Sequence, residues 1–164
     1  MAGKRKPLGV YSRSTQDWFV RRMQVGEVNF TPSSGNLAIA VLFNNTNSGK
    51  VLYPVGFTFH LGAVNGDIRI ETYIGNPGGA AATFGQHMVD PTAPVTAGLV
   101  LQQSVPTCIG QHLWDFWYNN NGVPISWPYN WPIMRLPSGC SMIVECGSFN
   151  VALAGSICWI ELDD

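Results

Sequence analysis

The chain is short of charge. Only 12% of its 164 residues are Asp, Glu, Lys or Arg, about half the share of an ordinary soluble domain. It also lacks any apolar run near the roughly 18 residues that span a bilayer as a helix. Low charge without a membrane span fits a subunit whose surface is largely covered by other chains. No apolar h-region follows the basic residues Lys4, Arg5 and Lys6, so the N-terminus does not read as a signal peptide. Asn29-Phe30-Thr31 and Asn44-Asn45-Thr46 then read as chance matches to a glycosylation sequon.

Residues that carry chemistry are equally sparse. The three histidines, His60, His87 and His112, show neither His-x-His nor His-Glu-x-x-His spacing, and His112 could form only a local pair with Asp115. The four cysteines, Cys108, Cys140, Cys146 and Cys158, contain no Cys-x-x-Cys pair and no histidine at zinc-ligand spacing. The acidic residues are scattered singly, which nominates no carboxylate pair of the glycosidase kind, and there is no Gly-x-Ser-x-Gly elbow. The reading is therefore a non-enzymatic protein with no catalytic residues, no cofactor and no metal, folding with reduced thiols in the cytoplasm. A Gly49-Lys50 pair closes the polar loop 45–50, but position 44 is Asn44 and Val51 follows the lysine. A phosphate cradle needs glycine at the first place and Ser or Thr at the last, so the loop is a turn.

What the chain does have is strand patterning. Residues 37–43 are continuously apolar, as in a strand buried on both sides. Val55, Phe57, Phe59 and Leu61 alternate with Gly56, Thr58 and His60, and Ile68 and Ile70 alternate with Asp67, Arg69 and Glu71. Asn65-Gly66 signals a hairpin turn between these runs. Gly26 reads as a break in an earlier strand, residues 76–98 as a surface excursion, and residues 111–118 as an aromatic strand. Pro137-Ser138-Gly139 opens a final hairpin, whose register would set Cys140 opposite Ile157 with Cys158 on the other face. No segment repeats with a helical period. The expected fold is all-β, an antiparallel β-sandwich of jelly-roll type over residues 17–164, preceded by an extended basic N-terminal arm over residues 1–16.

Two segments stand out as contact surfaces. Six of the nine Lys and Arg residues fall in the first 22 positions, and the arm with Lys4, Arg5, Lys6, Arg13 and a Tyr11 anchor is expected to lie along acidic protein surface. Nucleic acid is not the expected partner, because no folded basic face accompanies the arm. Between residues 114 and 131, Trp114, Trp117, Trp127 and Trp131 interleave with asparagines. They read as core or interface aromatics, with a glycan platform as the alternative.

The order of motifs carries a resemblance. An apolar strand, an Asn-rich loop with Ser48-Gly49-Lys50, a second strand and a Gly/Ala-rich excursion are followed by Leu136-Pro137-Ser138-Gly139. The chain then closes on Ile157-Cys158-Trp159-Ile160-Glu161. Over residues 36–162 this resembles small β-sandwich virion proteins of tailed bacteriophages. The resemblance implies a structural role in the virion after synthesis in the host cytoplasm, as capsid decoration (cement) or as a tail component. It implies no catalytic residues. The expected protein is a homo-oligomer, a trimer, bound to capsid or tail proteins of the same particle and to no membrane; the alternative is a carbohydrate- or receptor-binding module using the 114–131 segment.

Overall fold

Where apolar and polar residues alternate, the chain is extended, because successive side chains of a strand point to opposite faces. The computed structural model describes residues 21–62, 65–82, 86–88, 97–119, 125–127 and 134–164. Its strands are β1 (Met23–Phe30), β2 (Leu37–Asn44), β3 (Lys50–Leu61), β4 (Asn65–Ile74), β5 (Ala80–Ala81), β6 (Gln86–Met88), β7 (Gly98–Val105), β8 (Gln111–Asn119), β9 (Ile125–Trp127), β10 (Cys140–Cys146) and β11 (Leu153–Asp163). They form two antiparallel sheets, one in the order β6-β1-β11-β3-β9 and one in the order β5-β7-β2-β10-β4-β8, called here the β1 sheet and the β2 sheet. The sheets pack face to face as a β-sandwich. The arm, residues 1–16, lies outside the described residues.

The core is the apolar face of each sheet. Leu42 of β2, Ile70 of β4 and Met142 of β10 meet Phe57 and Phe59 of β3 and Trp159 of β11, all fully buried. Each such side chain removed from water contributes about 1.5–3 kcal/mol before entropy is counted. β2 is buried on both sides, as its continuous apolar run requires. Its alternate residues Leu37, Ile39, Val41 and Phe43 form a second cluster with Leu101, Val105 and Ile143.

Several expectations are corrected. β3 and β4 lie in different sheets, so Asn65-Gly66 does not make a hairpin between them. Both residues begin β4, paired with Asn119 and Tyr118, and Gly66 is small because the Leu61 side chain crowds the place of its missing Cβ. β10 and β11 are likewise in different sheets: β10 pairs β2 and β4, while β11 pairs β1 and β3. The Pro137–Gly139 turn is present, with Cys140 N–H donating to Pro137 O at 3.1 Å, but no final hairpin follows it. Turn residues mark where the chain reverses; they do not specify which sheet receives the next strand. Cys140 and Cys158 thus stand on separate sheets, and all four cysteines are free.

Val55 faces away from Phe57. The β3–β11 register shifts between Cys158 and Trp159, whose partners are Gly56 and Pro54, so Val55 is an extra residue and the alternation changes phase there. Val55 joins Cys158 and Ile160 on the outer face of the β1 sheet. Gly26 is no break either: β1 runs through it, and a Cβ there would come within 2.2 Å of Val100 Cγ2 from the facing sheet. The excursion 76–98 contributes two short edge strands, β5 beside β7 and β6 beside β1.

Candidate functional site

The densest chemistry among the described residues lies on the outer face of the β2 sheet. Because Ile68 and Ile70 of β4 point into the core, Asp67, Arg69 and Glu71 point out. Register then brings in partners from both sides: Arg69 stands opposite Glu145 of β10 and Asp115 of β8. Its Nε donates to Asp67 Oδ2 at 2.8 Å and lies 3.6 Å from Asp115 Oδ1, while Nη1 reaches Glu145 Oε1 at 3.3 Å. Burial opposes the Arg69 charge, but Asp67 and Glu145 outweigh it and its pKa is raised. His112 pairs with Asp115 at 2.9 Å.

Glu71 is held from above by the loop between β7 and β8. Gly110 N–H donates to Glu71 Oε2 at 3.0 Å, and the Cys108 thiol donates to Oε1 at 2.5 Å. Position 110 must be glycine for this approach, since a Cβ would sit 2.7 Å from both Glu71 Cβ and Oε2.

Both Glu71 and Glu145 are fully buried, and their surroundings explain the cost. Glu145 lies between Ile39 of β2 and Arg69 of β4, and Ile143 lies between Val41 and Glu71. The outer face therefore changes from apolar to charged across β10, and the two carboxylates sit on that seam. Burial, with the neighbouring Glu71 adding to it, pushes Glu145 up to about 7 despite Arg69. Burial and the bond to Glu71 push the Cys108 thiol up to about 11. On the order of one thiol in ten thousand is then ionised at pH 7, so Cys108 is not an activated nucleophile. Glu145 Oε2 is buried and has no hydrogen-bond partner. One ligand atom each from Glu71, Cys108 and Glu145 lies within 4.8 Å of the others, a donor set able to hold a cation.

Comparison with known protein families, with curated proteins and with solved structures finds no match for this chain. Of the contact residues singled out in the sequence, three lie on described strands. Trp114 and Trp117 are on edge strand β8 and Trp127 is on edge strand β9, in different sheets. Trp114 is partly exposed, as is its neighbour Leu113. Trp131 and the arm residues Lys4, Arg5, Lys6, Tyr11 and Arg13 lie outside the described residues. Glu71, Cys108 and Glu145 were not nominated by sequence, since they come from three separate segments with no local spacing. The one available signal was Glu145, the single charged residue of the strand Cys140–Cys146.

Proposed function

We propose that the protein is a non-enzymatic structural subunit of a virion, oligomeric and attached to capsid or tail proteins, with capsid decoration as its first assignment. The observation that carries this reading is the strand order. With the edge additions β5, β6 and β7 set aside, β1-β11-β3-β9 faces β2-β10-β4-β8, and consecutive strands from β1 to β4 alternate between sheets. That order supports a jelly roll of eight strands, an architecture used by viral capsid and lectin domains. The inference to function is architectural. Three further features favour it: the resemblance to small phage virion proteins, the low charge, and the apolar clusters on both outer faces. A trimer is the expected oligomer.

A carbohydrate- or receptor-binding module is the second reading, favoured by the exposed Leu113-Trp114 pair on an edge strand and by the lectin use of the same architecture. Glycan binding that is lost in folded Trp117→Ala or Trp131→Ala would favour it.

Light scattering on the purified chain at micromolar concentration should show a defined oligomer, and a stable soluble monomer would remove the assembly reading. Deleting residues 2–14 tests the arm. The sandwich's melting temperature should change little, while attachment to the particle weakens, and added salt should weaken the intact protein's attachment by screening the arm's charges. Equal attachment of the truncated chain would make the arm a passive tail.

A further inference from the structure

We propose that Glu71, Glu145 and Cys108 form a binding site for a divalent transition-metal ion, zinc by the chemistry of its ligands, that ties the β7–β8 loop to the outer face of the β2 sheet. Three independent features converge on this assignment.

The first is charge. Asp67, Asp115 and Glu145 all pair with a single guanidinium, Arg69, and Glu71 stands beside Glu145. Four carboxyl groups thus share one guanidinium, and two of them, Glu71 and Glu145, are fully buried. Buried carboxylates are ordinarily paired or coordinate a metal.

The second is the unused oxygen. Glu71 Oε2 is taken by Gly110 N–H, and Glu145 Oε1 by Arg69. Each carboxylate thus has one oxygen fixed by an outer partner, as metal-ligating carboxylates do. The other oxygen of Glu145, Oε2, is buried without any hydrogen-bond partner. The other oxygen of Glu71, Oε1, touches only the Cys108 thiol among the hydrogen bonds of the cluster.

The third is ligand type. Calcium and magnesium take six or more oxygen ligands, whereas a set of one sulfur and two carboxylates suits zinc, with a fourth position left for water. Tetrahedral zinc separates its ligand atoms by roughly 3.5 Å, inside the 4.8 Å span of these three atoms. Cys108 is exposed, so the thiol can withdraw slightly from Glu71 to admit the ion. On binding, the sulfur gives up its proton to buffer and forms the metal–sulfur bond in place of its hydrogen bond to Glu71.

The test uses the full chain, freed of metal by chelation, and Co2+ as the spectroscopic substitute for Zn2+. Titration should produce a sulfur-to-cobalt charge-transfer band that saturates at one ion per chain, disappears when Zn2+ is added, and is absent in Cys108→Ser. Zn2+ should also protect Cys108 from alkylation in the wild type. Glu145→Gln should weaken Co2+ binding by at least about tenfold; because its amide removes a buried charge, folding of this variant is checked by circular dichroism. Cys108 is exposed, so Cys108→Ser decides the matter even if the buried variant fails to fold. No charge-transfer band, a band that persists in Cys108→Ser, or equal protection by Ca2+ each overturns the assignment. None of these outcomes depends on whether the chain belongs to a virion.

Discussion

Glu145→Gln should remove the pH dependence of stability that the buried carboxylate imposes. In the folded protein Glu145 is pushed from 4.5 to about 7, chiefly by burial and then by Glu71. A raised acid pKa means that the folded state holds the proton more tightly than the unfolded chain. The group's contribution is full below about pH 4.5 and is lost as pH rises through 7. A difference of about 2.5 pH units at 1.36 kcal/mol each is about 3 kcal/mol. In a chain of this length that corresponds to about 6–12 °C in Tm. Glutamine carries no titrating proton and can still accept from Arg69, so the variant's stability should be nearly flat over the same window apart from other groups. Urea unfolding between pH 4.5 and 8.5, with chelator present throughout, compares the two slopes. The wild type should lose about 3 kcal/mol relative to the variant across this range. Parallel curves for wild type and Glu145→Gln would show that Glu145 holds its proton no more tightly in the folded state than in the unfolded chain, and the seam account of its burial would fall.

Two packing predictions follow from single residues. Asn44, fully buried, donates to Lys50 O at 2.8 Å and Leu136 O at 2.9 Å and accepts from Ser48 Oγ at 2.7 Å, so Asn44→Ala should cost about 2–4 kcal/mol in urea unfolding; a loss under about 1 kcal/mol would refute its role as the clasp of this corner. Gly26→Ala should cost about 1–3 kcal/mol by overpacking against Val100, and the double variant with Val100→Ala should recover part of that loss; strict additivity would rule out the contact as the cause.

Much of the strand content was legible because it is local. The two-sided burial of β2 follows from an unbroken apolar run, and the outward charges of β4 follow from strict alternation with Ile68 and Ile70. The pairing of strands was not legible. Asn65-Gly66 and Pro137-Ser138-Gly139 have hairpin chemistry, yet the strands they adjoin belong to opposite sheets. A corner and a hairpin both need residues that turn the chain, and only the packing of distant apolar faces decides between them. The phase error at Val55 has the same origin: the bulge is a property of the β3–β11 pair, and neither strand announces it alone. The acid and thiol cluster was invisible for a stronger reason, because each of its residues is unremarkable until register sets β10 beside β4 and Gly110 lets the loop descend onto Glu71.

The polar loop 45–50 shows how such register is held. Asn47 and Gly49 adopt left-handed backbone, φ 59° and 65°, which carries the chain from β2 in one sheet to β3 in the other. Asn44 then bonds both sides of the corner, and Leu136 pairs with Leu52 just beyond it in an isolated bridge. Gly139 N–H donates to Asn44 O at 2.9 Å, so the segment entering β10 is fastened to the end of β2. Fixing that end sets the β2–β10 register, with Ile143 opposite Val41 and Glu145 opposite Ile39. A slip of one residue would turn Glu145 into the core and Val144 out of it. The turn that closes on Gly49-Lys50 thus fixes the strand on which the buried carboxylate stands, and so links the Asn44 corner to the chemistry of the seam.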